Sequence, residues 1–266
     1  MTKSTMGIQT DAASRRLPRI LCLHGGGSNA RIFRAQCRAL RAELAGQFRL
    51  VFAEAPFDSE PGPDVTSVYQ EFGPFRRWLR SKPEHEHIDA REATELIEDA
   101  LYDAMDQDDL QGATGDWVGL MGFSQGAKVA ASLLFRQQVR SQRLGKFLAG
   151  SSFKFAVLMA GRGPLVSLEP ELLMNSALID ASEIGLPRPP KSRDIAKKEH
   201  VLRLPTIHVH GVTDPGLPLH RTLLRDYCSS DARLVEWDGN HRVPIKTKDV
   251  SRVVDQIMAV ARKAGI

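Results

Sequence analysis

A chain of 266 residues, 42% hydrophobic and 26% charged, can bury one substantial core, is short for two domains and is too apolar to be disordered. Its net charge of +4 is interleaved with acids rather than gathered into a basic stripe, which argues against a nucleic-acid binder. Three cysteines, Cys22, Cys37 and Cys228, form neither a disulfide framework nor a zinc spacing, and fit a reducing, cytoplasmic setting.

Residues 1–16 are polar, lack the apolar stretch of a secretory signal, and read as a tail ahead of a single domain over 17–266. No apolar run approaches a membrane span. Beyond the tail, short apolar runs alternate with amphipathic stretches, the pattern of a mainly parallel sheet covered by helices. The first strand is predicted over 19–24. A Gly-rich turn follows, then a helix over 30–45 with Ile32, Phe33, Leu40 and Leu44 as its apolar positions. The second strand covers 48–53. An insertion rich in Pro and Gly follows, then a helix over 89–105 that opens on acidic residues, as helix N-termini prefer. The third strand (117–122) runs straight into a helix (125–140). The fourth strand is 153–160, the fifth 206–210 and the sixth 233–237, and a last helix spans 247–263. Insertions near 54–88 and 161–200 interrupt this order. Strands of the same sheet continue after each, so they read as lids rather than linkers. Phe57, Phe72, Phe75 and Trp78 suggest that the first is folded, while Pro187, Pro189 and Pro190 mark the second as irregular.

Gly122-Phe123-Ser124-Gln125-Gly126 fits G-x-S-x-G and lies between a β-rich strand and an alanine-rich helix, the context a nucleophile elbow requires. A serine on so sharp a turn needs small residues two positions to either side. The turn also sets Ser124 at a helix N-terminus, where amide dipoles favour developing negative charge. The competing reading is an ordinary junction capped by a serine. His24-Gly25-Gly26-Gly27 ends the first strand. It lacks the G-x-G-x-x-G spacing of a dinucleotide site, and no acid follows on the next strand until Glu54. As an oxyanion loop it would supply the N–H of Gly26, beside that of Gln125, with His24 shaping the loop. Asp214 follows the fifth strand and is either a turn residue or the acid of a triad. His241 follows the sixth. The chain order Ser124, Asp214, His241 is the order of this fold, and it makes His241 the base and Asp214 its orienting partner. Asp238, three residues before His241, is a rival acid. The pairs His208/His210 and His85/His87 lack a third ligand at a metal spacing.

These residues resemble the fungal serine hydrolases known as the FSH family. The resemblance covers nearly all of 19–260. It rests on Leu23-His24-Gly25, Ala55-Pro56-Phe57, Pro61-Gly62-Pro63, Gly73-Pro74-Phe75 leading to Trp78, the Ser124 elbow, Gly211…Asp214…Leu217-Pro218, and His241-Arg242-Val243-Pro244. It implies an α/β-hydrolase fold with sheet order 2-1-3-4-5-6 and mostly right-handed crossovers. Strands 1 and 3 then meet at the switch point, beside the glycine loop. Within the family the chain is similar to members from polyketide clusters, including those of citrinin-type pathways. The resemblance thus implies hydrolysis of an acyl ester or thioester, with the acyl chain carried by the carrier domain of a polyketide synthase, and implies no cofactor. Arg76, Arg77, Arg80 and Lys82 would face an acidic carrier or simply solvent. Phe57, Phe75 and Phe123 are expected to line the acyl pocket. Two alternatives stand beside this one: a carboxylesterase for small diffusible esters, and a binding protein that has lost catalysis.

Overall fold

The computed structural model describes residues 14–63, 65–184 and 198–266. Most of the polar tail, and the prolines at 187, 189 and 190, lie outside the described residues. The first strand, β1 (Arg19–Leu23), is buried along its whole length, as a parallel strand covered on both faces must be. Two short helices follow, α1 (Ala30–Gln36) and α2 (Arg38–Leu44), where the sequence predicted one. The break falls at Cys37 (φ −81°, ψ 10°) and keeps that thiol in the apolar layer with Phe33, Leu40 and Leu44. Asn29 caps α1 by accepting from Ile32 N–H at 2.8 Å.

After β2 (Arg49–Ala53), the first insertion folds into an antiparallel ribbon, β3 (Phe57–Ser59) with β4 (Phe75–Arg77), and a single turn, α3 (Thr66–Tyr69). Trp78 anchors it: the indole is fully buried and donates to the His24 carbonyl at 2.9 Å. Helix α4 (Ala90–Leu110) is capped by Asp89, and β5 (Trp117–Phe123) leads directly into α5 (Gln125–Arg143). Then come β6 (Phe155–Met159) and, in the second insertion, the small parallel pair β7 (Val166–Ser167) and β8 (Ile179–Asp180). The chain closes with β9 (Thr206–Gly211), α6 (Leu217–Tyr227), β10 (Arg233–Trp237) and α7 (Thr247–Lys263).

Six strands form one parallel sheet in the order β2-β1-β5-β6-β9-β10. This is the expected 2-1-3-4-5-6, renumbered because the two small ribbons add strands between the large ones. Side chains alternate between two apolar layers. On β6, Ala156 and Leu158 face the layer that holds α4 and α5, while Phe155, Val157 and Met159 face α1, α2 and α7. Strand β9 departs from this rule. Ile207 and Val209 join the second layer, but the other face carries His208 and His210, both buried. At the sheet end that carries the strand N-termini, Arg19 and Arg49 converge on buried Asp108 of α4, with Arg19 also over the Trp117 ring and paired to Asp109. The opposite end, where strands finish, is left for chemistry. No helix among the described residues is long and apolar enough to cross a membrane.

Candidate active site

Ser124 has a φ of 53° and a ψ of −113°, a conformation that costs a non-glycine residue on the order of 1–3 kcal/mol. Close packing enforces it. A Cβ on Gly122 would sit 2.3 Å from the Gly126 carbonyl oxygen, and one on Gly126 would sit 2.2 Å from that of Leu23. The Ser124 N–H donates to Met159 O at 2.8 Å, tying the elbow to the neighbouring strand.

His241 lies on the loop after β10, with its Nε2 3.0 Å from Ser124 Oγ and its Nδ1 2.6 Å from Asp214 Oδ2. Asp214 lies on the loop after β9. The two loops touch: a Cβ on Gly211 would sit 2.4 Å from the Gly239 carbonyl oxygen, and Thr213 N–H donates to the same oxygen at 3.0 Å. The second carboxylate oxygen of Asp214 accepts from Gly216 N–H at 2.7 Å. Burial pushes the Asp214 pKa up, but the Gly216 N–H and the hydrogen bond and charge of His241 outweigh it and hold the group below the usual carboxylate value. An ionised Asp214 fixes the Nδ1–H tautomer and leaves Nε2 to accept the serine proton. Asp238 makes no comparable contact with His241 among the described residues. Sequence reasoning missed a second neighbour: buried His220 of α6 brings its Nε2 to 3.8 Å from Asp214 Oδ2.

The glycine loop lies beside the elbow, since a Cβ on Gly26 would meet the Gln125 side-chain oxygen at 3.1 Å. Gln125 also clamps the first insertion, accepting from Trp78 N–H at 2.7 Å and donating to Leu79 O at 3.0 Å. His24 is fully buried; its Nε2 accepts from Ala55 N–H at 3.1 Å, and its Nδ1 lies 2.8 Å from Gly25 O. It ties β1 to the segment after β2, as a loop-shaping residue should.

A cleft of about 780 Å³ opens over Ser124, Gln125 and His241. The three phenylalanines expected there are elsewhere. Phe57 turns inward beneath the Arg77 guanidinium, whose Cζ lies 5.0 Å from its ring centre, and Phe75 stays with β4 beside Gly73. Phe123 is buried in the opposite layer between the rings of Phe33 and His241. The apolar lining comes instead from Leu79, Ile179, Ile184 and Leu219. A larger hollow of about 1080 Å³ along β2, α1 and α4 is lined by Arg31, Arg34, Arg41 and Arg49 and does not reach the Ser124 site.

Asp214, His220 and His241 are the one trio among the described residues whose ligand atoms lie within 4.8 Å of one another. The 2.6 Å between His241 Nδ1 and Asp214 Oδ2 is a hydrogen-bond length. Two ligands of a tetrahedral zinc with ~2.0 Å bonds would stand roughly 3.3 Å apart. The trio fits proton transfer better than metal binding.

Residues 14–253 match the family model described as serine hydrolase (FSH1). The chain is 65% identical over 256 residues to the probable esterase tazC of Aspergillus terreus, covering 96% of this chain and 97% of that protein. It is 59% identical over 262 residues to esterase pigG of Monascus ruber, covering 97% and 96%, and 55% identical over 250 residues to esterase citA of the same species, covering 94% of each. The solved carboxylesterase of Bacillus cereus shares the fold alone, with a TM-score of 0.50 at 16% identity over 92% of this chain and 89% of that one. With its α/β-hydrolase sheet and a family match spanning nearly its whole described length, the chain belongs to the serine hydrolase (FSH1) family.

Proposed function

We propose that Ser124, His241 and Asp214 form a catalytic triad that hydrolyses an acyl thioester or ester, releasing or editing a polyketide chain held on a carrier protein. The observation that carries this reading is the unbroken relay of 3.0 Å and 2.6 Å from an elbow serine to a buried carboxylate. His241 Nε2 takes the proton of Ser124 Oγ as the oxygen attacks the acyl carbonyl. The N–H groups of Gly26 and Gln125 hold the resulting oxyanion, and loss of one such donor typically costs ~10²–10³-fold in rate. His241 then protonates the departing thiol or alcohol, leaving an acyl-serine. It next deprotonates a water that attacks this ester, and the proton returns to Ser124 as the free acid leaves.

In this reading residues 17–266 are one catalytic domain, and the segments near 54–88 and 161–200 are lids that bound the acyl site. Both contribute lining to the cleft, through Leu79 and Ile179, which supports that role. Three buried free cysteines support a cytoplasmic setting. A fluorophosphonate probe should label the wild-type protein, and Ser124→Ala should lose labelling and turnover while keeping its thermal midpoint. Labelling of Ser124→Ala at the wild-type rate would reject Ser124 as the nucleophile. The relatives reported above are named esterases, and a second reading takes small diffusible esters as the substrate class. A carrier-bound thioester should be cleaved far faster than a short p-nitrophenyl ester; equal efficiency would favour that second class.

A further inference from the structure

We propose that Lys128, with Arg162 beside it, is an anion-binding subsite of the catalytic cleft, so that the preferred substrate bears a carboxylate or phosphate that reaches this pair while the scissile carbonyl sits at Ser124. The inference rests on the hydrolase reading above and adds a substrate class to it.

Lys128 lies one helical turn beyond Ser124 on α5, its N–H donating to Ser124 O at 3.2 Å. Its neighbours Ala127, Val129, Ala130 and Ala131 are buried, and Lys128 itself is only 8% exposed. Lys128 nonetheless lines the cleft, together with Ser124 and Arg162. Neither cation forms an ion pair or side-chain hydrogen bond among the described residues. Arg162 is held at the triad: a Cβ on Gly216, whose N–H binds Asp214, would meet its guanidinium at 2.6 Å. Of the acids sharing the cleft, Asp214 is engaged by His241, Glu183 is engaged elsewhere, and Glu60 is exposed on the first insertion.

A buried lysine with no counter-ion among the described residues is costly for the folded chain. Burial, followed by the charge of Arg162, lowers its pKa to about 8. An apolar residue would serve packing better. The arrangement makes sense where an incoming anion supplies the missing charge and hydrogen bonds. That anion could belong to the acyl chain, as a carboxylate, or to the leaving group, as the phosphate of a phosphopantetheine arm.

Two pairs of thioesters separate the sources. Adipoyl against hexanoyl N-acetylcysteamine places a carboxylate or a methyl on the acyl side. Hexanoyl-phosphopantetheine against hexanoyl-pantetheine adds or removes the phosphate on the thiol side. Thiol release reports turnover. For one pair, wild-type kcat/KM should favour the charged member by about ten- to a hundred-fold, the usual worth of a charge-assisted contact. Lys128→Met should bring that ratio to near one, Lys128→Arg should retain most of it, and Arg162→Gln should reduce it partly. Calorimetry of adipate and phosphopantetheine with Ser124→Ala reads the same subsite without turnover. Its affinity for one of them should be lost when Lys128→Met is added. The proposal is overturned if neither anion binds, if wild type cleaves all four thioesters without preferring a charged member, or if Lys128→Met leaves the ratio intact. If an anion binds but no thioester is cleaved, the subsite stands and the hydrolase reading fails.

Discussion

The buried histidines behind His241 should make the fold acid-labile. His241 touches His220, His220 touches His210 and His210 touches His208, with ring centres 6.0, 5.6 and 5.8 Å apart. His208, His210 and His220 are at most 1% exposed. Both ring nitrogens of His210 and of His220 lack a hydrogen-bond partner among the described residues, and His208 has only Thr206 Oγ1 at 3.2 Å. Burial, above all, lowers their pKa values from 6.5 to about 3 for His208 and about 4 for His210 and His220. Nearby Glu236 and Asp214 oppose the shift at His210, and Asp214 opposes it at His220, without reversing either. Each folded value lies below its unfolded value. The unfolded chain therefore binds protons that the folded chain refuses. Stability is complete above pH 6.5 and falls as pH drops from 6.5 toward 4. Each group costs about 1.4 kcal/mol per pH unit, so three groups over the 1.5 units from 6.5 to 5 cost roughly 6 kcal/mol as an upper bound. That is comparable with the whole stability of a typical domain, about 5–15 kcal/mol. Depression of the Asp214 pKa acts only below the ordinary carboxylate value of 3.8, outside this window. Urea melts followed by tryptophan fluorescence at pH 7.5, 6.0 and 5.0 should show the loss. His208→Asn, which removes one refused proton, should flatten the slope by about a third. A change under ~1 kcal/mol between pH 7.5 and 5.0 would refute the account.

Other outcomes follow from the site. Asp214→Asn keeps the shape but offers an amide where a carboxylate fixes the imidazole tautomer; kcat should fall by about 10⁴-fold with KM little changed, measured by steady-state kinetics. Gly126→Ala drives a Cβ to 2.2 Å from the Leu23 carbonyl oxygen, a backbone atom that cannot swing away. Its thermal midpoint should fall by 10 °C or more, about 3 kcal/mol, or the protein should fail to accumulate in soluble form. Gln125→Leu retains the backbone N–H but frees the Trp78–Leu79 segment. Proteolysis of the first insertion should accelerate, and KM should rise more than kcat falls.

Legibility followed burial geometry. Parallel strands covered on both faces read as apolar runs, so β1, β5 and β6 were plain, while the half-exposed edge strands β2 and β10 showed as short β-rich segments between helices. Glycines on both sides of Ser124 marked the elbow because no other residue fits there. Chain order then pointed to Asp214 and His241, which the fold brings within hydrogen-bond reach. Helix α6 was not legible. Its buried face is His220, Leu223 and Tyr227, and a histidine at a core position disguises the period. The cleft lining was misread for a related reason. Aromatics announce themselves in a sequence, but Phe57 and Phe123 were needed as packing, while the cleft took aliphatic residues from α6 and the second insertion. Lys128 was the hardest to see. A lysine in an alanine-rich helix looks solvent-facing, because most are. Only the assembled layers show that α5 is covered on nearly every side, which makes Lys128 a charge without a partner among the described residues, beside Ser124. A buried cation of this kind leaves no periodic signature, since what defines it is that no acid from distant segments, among the described residues, pairs with it.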